Sequence, residues 1–402
     1  MKALRNYIDK IKPNFEPGGR FEKFQSVFEG FETFLFVPNT TSKSGTHIHD
    51  SIDTKRTMSV VIVALLPALL FGMYNVGYQH YLAIGQDAGF WMTFLFGFLA
   101  VLPQIVVSYA VGLGIEFTVA QMRGHEIQEG FLVSGILIPM IVPVDTPLWM
   151  IAVATAFAVI FAKEVFGGTG MNVFNVALIT RAFLFFAYPS KMSGDGVFVR
   201  VSDTFGLGAG KVVEGFSGAT PLGQVATTPA GMPVQLTDIL GHPISTLDSF
   251  LGFIPGSIGE TSTLAILIGA IILLVTRIAS WRIMLSVFAG GLFMGWIANV
   301  FSSPIYPASQ LTPFDQVCLG GFAFAAVFMA TDPVTGARTT LGKYIYGFLI
   351  GVVAIIIRIY NNGYPEGAML AVLLMNVFAP LIDYFVVEAN MKKRLKRAKI
   401  NA

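Results

Sequence analysis

Residues 58–78 read M-S-V-V-I-V-A-L-L-P-A-L-L-F-G-M-Y-N-V-G-Y, a run without a single charge. A helix of that length, at about 1.5 Å per residue, crosses the roughly 30 Å hydrocarbon core of a bilayer. Runs of the same kind recur near 91–113, 130–143, 147–166 and 171–188 and, after a long polar break, near 263–279, 282–301, 316–331, 344–360 and 367–387. The composition agrees: 54% hydrophobic and 12% charged, where a soluble domain carries about 25% charged residues, and a mean hydropathy of +0.68. The expected fold is an all-α integral membrane protein of about ten transmembrane helices.

Charge placement orients them. Lys55, Arg56, Arg123, Lys163, Arg277, Arg282, Arg338 and Lys343 fall at one set of helix ends, together with the basic tail from Lys392 to Lys399. The opposite connections, 79–90, 143–147, 302–315 and 361–366, hold no Lys or Arg. By the positive-inside rule both termini are cytoplasmic and the long loop is on the outer face. The expected organisation is a cytoplasmic extension (1–57), a five-helix unit (58–188), an outer loop (189–262), a second five-helix unit (263–388) and a basic cytoplasmic tail (389–402). No apolar core of a signal peptide precedes the first span. In the extension Phe21, Phe24, Phe28, Phe31 and Leu35 recur at helical spacing, which predicts an amphipathic helix for a membrane surface or a partner.

Five spans entering from one side and five from the other is the arithmetic of an inverted repeat. The third span of each unit contains glycine near its start and is interrupted by proline: Pro139, Pro143 and Pro147 in one, Pro333 in the other. Broken helices at matching positions mark a ligand site or are ordinary proline kinks.

Polar residues near or inside spans are expensive unless paired. Lys163-Glu164 reads as a solvated boundary. The stretch 163–181, K-E-V-F-G-G-T-G-M-N-V-F-N-V-A-L-I-T-R, puts three glycines and the amides of Asn172 and Asn175 at a helix start, suited to a polar ring or an anion. In the other unit, A-T-D-P-V-T-G-A-R at 330–338 supplies Asp332 and Thr335. Cations crossing lipid need oxygen ligands, so Asp145, Asp332 and Asp383 are candidates for an ion pathway, or else paired structural carboxylates. No nucleotide-binding loop, hydrolase triad or metal-ligand spacing is evident, and no nucleic-acid partner is expected. The single Cys318 excludes an internal disulfide. Redox chemistry, if any, belongs to a cofactor. One further segment, S-G-A-T-P-L at 217–222, lies in the outer loop and taken alone is a turn.

Together, K-E-V-F-G-G-T-G-M-N-V-F-N at 163–175, S-G-A-T-P-L at 217–222 and A-T-D-P-V-T-G at 330–336 resemble the B subunits of bacterial sodium-translocating NADH:quinone reductases and, more distantly, the D subunits of Rnf ferredoxin:NAD reductases. The resemblance spans the chain, and the long extension favours the quinone reductase branch. It implies that Thr220 is esterified to the phosphate of FMN by a flavin transferase acting on the outer face, with Ser217, Gly218 and Ala219 as the surrounding segment. The attachment pattern is usually written with Asp six positions before the acceptor; here Glu214 retains the carboxylate on a longer arm. The resemblance further implies a noncovalent riboflavin among the spans and ubiquinone as electron acceptor near the cytoplasmic side. It also implies sodium export and a bacterial inner-membrane complex, whose other subunits include a second covalent-FMN subunit and an NADH-oxidising FAD/iron–sulfur subunit. Asn172, Asn175, Asp332 and Thr335, chosen from the broken-helix positions, are the expected riboflavin pocket. Phe28, Phe31 and the loop of Gly124, Glu126 and Glu129 are the expected quinone region. The alternatives are an Rnf-type subunit, with the flavin but not the quinone, and an inverted-repeat secondary transporter without flavin.

Overall fold

The structure, a computed structural model, describes residues 2–16, 18–21, 25, 28, 32, 36, 44–46, 54–123, 130–193 and 196–400. Among them every regular element is helical; the extended pairings are two isolated bridges in the long loop. Helix α1 (Lys2–Ile11) lies in the extension. The membrane part follows with α2 (Thr54–Ala83), α3 (Gly89–Arg123), α4 (Phe131–Met140), α5 (Leu148–Ala158) and α6 (Val176–Ala187). The long loop carries α7 (Pro221–Thr227) and α8 (Thr246–Leu251). Then come α9 (Thr263–Val275), α10 (Trp281–Val300), α11 (Pro313–Cys318), α12 (Phe322–Phe324), α13 (Thr340–Tyr360) and α14 (Ala368–Ile400).

Among the described residues six helical stretches are long and apolar enough to cross a membrane: 55–83, 89–123, 148–166, 281–300, 340–360 and 368–398. Prolines 67, 103 and 380 sit inside three of them, as membrane helices tolerate when neighbours re-satisfy the freed carbonyls. α2 and α3 pack backbone to backbone; a Cβ on Gly97 would meet the Met73 carbonyl oxygen at 1.7 Å, so only glycine allows this approach.

The remaining apolar segments are short. α4, α6 and α9 have 10, 12 and 13 residues, or roughly 15–20 Å at 1.5 Å per residue, which is less than the hydrocarbon thickness. The stretch expected as one span at 316–331 is in pieces. It breaks at Gly320-Gly321, not at Pro333, because both glycines take positive φ (64° and 69°). A Cβ on Gly320 would meet the Leu222 side chain at 2.0 Å, and one on Gly321 the Glu260 carboxylate at 2.7 Å. Beyond the break α12 widens into a π turn, Ala325–Met329.

Short helices leave carbonyls without partners at their ends, and in an apolar interior that is costly. Two buried arginines supply the missing donors. Arg181 of α6 donates to Ile141 O, at the end of α4. Arg358 of α13 donates to Leu319 O (3.0 Å) and to the Gln316 carbonyl, at the end of α11. A cation at a helix C-terminus also meets the negative end of its dipole. The long loop folds over the same ends of the bundle, burying Val199, Ile239 and Ile258. This end is called the loop side below, and the opposite end, where α14 finishes in the basic tail, the tail side.

Candidate functional site

On the tail side a cleft opens between the two halves. Asn175 is the N-cap of α6: its Oδ1 accepts from Ala177 N (3.0 Å) and Leu178 N (3.3 Å). Its Nδ2 donates to Asp332 Oδ2 across the halves (3.2 Å). The other Asp332 oxygen accepts from Val334 N at 2.9 Å. Asn172, Asn175, Asp332, Thr169, Ser134 and Lys163 supply the polar lining, and Met58, Leu137, Leu273 and Phe328 the apolar walls. The sequence-predicted trio Asn172, Asn175 and Asp332 therefore converges; Thr335 is buried but off the cleft wall. An apolar slot with a few fixed amides and one carboxylate suits a planar ring with a mixed donor and acceptor edge.

Lys163-Glu164 is not the solvated boundary expected of it. Lys163 is 4% exposed and ion-paired with Glu116 of α3, because the π turn Val159–Lys163 that prolongs α5 turns its side chain inward. Arg123, at the end of α3, donates to the Glu164 carbonyl (2.9 Å) and faces its carboxylate at 3.6 Å.

On the loop side the centre is Thr220. Pro221 opens α7 and Thr220 is its N-cap, with Oγ1 accepting from Gly223 N at 3.1 Å. The hydroxyl is half-buried and donates to no group among the described residues. Gly218 and Ala219 are buried, Ser217 is partly buried and Glu214 is exposed. Gln224 ties the segment down, donating to Thr237 O (2.7 Å) and accepting from Thr237 N (2.9 Å).

Thr220 lines a small pocket with Gly256, Thr261, Gly320, Glu260 and Glu366. Below it lies a buried charge cluster: Arg181 pairs with Glu260 (3.0 Å) and with Glu366, while Arg358 donates to the Glu366 carbonyl (3.2 Å). Burial pushes the Glu260 carboxyl up to about 7; Arg181 pulls it down, and the Glu366 carboxylate adds to the rise.

The three ion-pathway candidates are all partnered. Asp145 faces Arg200 at 3.5 Å. Asp332 is clasped as described. Asp383 accepts from Arg338 N (2.7 Å) and Thr339 N (3.0 Å), tying α14 to the start of α13. Of the expected quinone region, Gly124, Glu126, Glu129 and Phe31 lie outside the described residues, as does most of the predicted Phe stripe. Phe28 stacks on Phe15 at 4.6 Å, and Glu32 pairs with Arg5 (3.1 Å) and Lys12 (2.9 Å), so this part of the extension packs on itself. Sequence reasoning did not single out Glu116, Glu260 or Glu366. A signal existed for Glu366, the lone charge in a connection without Lys or Arg.

The sequence profile of the NQR2, RnfD, RnfE family matches residues 41–392. The chain is 44% identical over 416 residues to the B subunit of the Na(+)-translocating NADH-quinone reductase of Chromohalobacter salexigens, covering 98% of this chain and 97% of that one. It is 43% identical over 418 residues to the B subunits of the same reductase in Pseudomonas aeruginosa and Azotobacter vinelandii, covering 98% of this chain and 99% of each.

Proposed function

The chain belongs to the NQR2, RnfD, RnfE family, and on that premise we propose that it carries FMN on Thr220 and works as a membrane redox subunit. It is a subunit of a Na+-translocating NADH-quinone reductase, an enzyme complex of the membrane. Electrons leave the chain for ubiquinone, and their passage is coupled to sodium export across a bacterial inner membrane. Both termini are cytoplasmic in this reading. That places Thr220 on the outer face, within reach of a flavin transferase, and the cleft at Asn175 and Asp332 on the inner one.

The observation that carries the reading is the setting of Thr220. Its hydroxyl is half-buried at the lip of a pocket and donates to nothing among the described residues, while its one internal hydrogen bond uses an Oγ1 lone pair that a phosphate ester retains. The residues therefore fit a phosphodiester tether that leaves the local backbone in place. When bound, FMN supplies one-electron transfer that no side chain here can perform. Arg181, Glu260 and Glu366 beneath the pocket fix the loop against both halves of the bundle.

The inner cleft is our site for riboflavin. Asn172 and Ser134 offer polar contacts, Phe328 and Leu137 wall the ring, and the Asn175–Asp332 bond holds the halves at a set separation. Asp332, which joins the halves, is our candidate for contact with sodium. The relatives align along 98% of this chain, extension included, which favours the quinone reductase over the Rnf-type branch. The test is sodium-stimulated reduction of quinone by NADH in the purified complex. Thr220→Ala abolishes it without loss of assembly; undiminished turnover in that variant would support a transporter-like role instead.

A further inference from the structure

The segment that carries Thr220 is held shut. Gly218, Ala219, Pro221, Leu222 and Val225 are buried on either side of the threonine, and Leu222 packs into the space that only glycine leaves at position 320. Hydrogen bonds pin the segment to residues 237–239: Ser217 N donates to Ile239 O (3.1 Å), Gln224 Nε2 to Thr237 O (2.7 Å) and Thr237 N to Gln224 Oε1 (2.9 Å). Its two ends are of a different kind. Gly215 and Gly231 are exposed, take positive φ (82° and 93°) and have open space where a side chain would stand. Gly231 is anchored through its N–H to Pro304 O (2.8 Å), so it can serve as a fixed pivot.

This enclosure suits the finished ester better than its formation. On the covalent-FMN reading, on which this inference rests, the donor is a flavin dinucleotide. The Thr220 Oγ1–P bond forms as a P–O bond of the diphosphate breaks, and AMP leaves with the electron pair. The hydroxyl proton passes to a base of the transferase, and nothing is oxidised or reduced. Such an attack needs phosphorus about 3–3.5 Å from Oγ1, aligned with the bond that breaks. In the folded chain the pocket that Thr220 lines has a volume of about 30 Å³, room for a few water molecules at most. A dinucleotide with an enzyme around it does not fit there. The neighbouring backbone gives no second approach, because Ala219 and Pro221 are both buried. The finished ester, by contrast, requires only that Oγ1 keep its bond from Gly223 N.

We propose that the transferase acts on an opened form of the chain, in which residues 216–230 swing out between Gly215 and Gly231, and that reclosure, with Leu222 returning to Gly320, then locks the flavin-bearing segment onto the bundle. The surface that the transferase recognises is therefore the released segment and not the folded loop. Once released, Thr220 follows Ser217, Gly218 and Ala219, small residues that let an enzyme close around the hydroxyl. Leu222 seats at the break between α11 and α12, where the Arg358 guanidinium also approaches Gly320. The same contact that shields Thr220 thus ties the segment to the second half of the bundle.

The test uses the full chain, made without transferase and purified folded, then given transferase, FAD and a magnesium salt. Covalent flavin is followed by in-gel fluorescence, and hydrogen exchange in peptides containing Ser217 reports opening in the same samples. Gln224→Ala loses the pins to Thr237 and should be labelled about tenfold faster. Leu222→Ala empties the seat at Gly320 and should be labelled about a hundredfold faster. Exchange at Ser217 should quicken by the same factors. Thr339→Ala removes a helix cap on the tail side, the bond from Gly342 N, and should change neither rate. Labelling of both loop variants at the wild-type rate, or equal acceleration by Thr339→Ala, would overturn the proposal while leaving the covalent flavin in place. No labelling of any chain, including wild type co-expressed with transferase, would overturn the covalent-FMN reading itself, and this inference with it.

Discussion

Replacing Arg181 by methionine should be the most damaging single change in the membrane core. Arg181 is 2% exposed and meets Ile141 O, Glu260 and Glu366 at once. Removing it strands two carboxylates and the carbonyl at the end of α4. Breaking a buried pair in this way costs about 3–5 kcal/mol. At roughly 2.1 cal/mol/K per residue, unfolding a chain of 402 residues carries an entropy near 0.8 kcal/mol/K. The loss corresponds to a fall in Tm of at least about 4 °C, and more if helices persist in the unfolded membrane state. Tm followed by tryptophan fluorescence in detergent is the assay. Adding Glu260→Gln and Glu366→Gln should restore part of the loss, since the triple variant leaves no uncompensated charge. A fall in Tm under about 1 °C for Arg181→Met, set against the 4 °C expected, or a triple variant worse than the single one, would refute the argument.

Other consequences can be checked separately. Asn175→Leu removes the α6 cap and the bond to Asp332; we expect about 1–2 kcal/mol of destabilisation together with loss of noncovalent flavin, read as flavin per complex after extraction. Between pH 4.5 and about 7 Glu260, whose carboxyl is raised to about 7 by burial, holds a proton in the folded chain that the unfolded chain has released. Its contribution to stability is therefore greatest below pH 4.5 and declines as pH rises to about 7, and in Glu260→Gln the Tm slope across that window should flatten. Gly320→Ala forces a side chain onto positive φ against Leu222 and should cost about 1–3 kcal/mol. Trimming the neighbour with Leu222→Ala should relieve only the steric share, as a double-mutant cycle in Tm would show.

The long helices were legible because uninterrupted apolar runs admit one reading in lipid. The short ones were not, since the same composition serves a 10-residue helix ended by a buried arginine and a full span. The break at Gly320-Gly321 was hidden for a related reason: two glycines in an apolar run look like ordinary close packing, and only the approach of Leu222 and Glu260 from the loop shows why they are needed. Asn172, Asn175 and Asp332 stand out in the sequence because broken-helix positions concentrate unpaired backbone, and the fold brings these three side chains to one cleft. Glu260 and Glu366 escaped notice because each sits in a connection that reads as solvated, while their burial comes from contacts 79 and 185 residues away in sequence with Arg181. Lys163 was misjudged because a π turn changes which face of a helix a side chain occupies, and a periodic reading assumes a regular turn.

The proposed function depends above all on the covalent flavin, and a denaturing gel tests it directly. With the chain expressed beside its flavin transferase, the wild-type band should fluoresce under ultraviolet light and the Thr220→Ala band should be dark, with mass spectrometry placing FMN, less one water, on the peptide containing Thr220. A dark wild-type band, or a Thr220→Ala band as bright as the wild type, would contradict it.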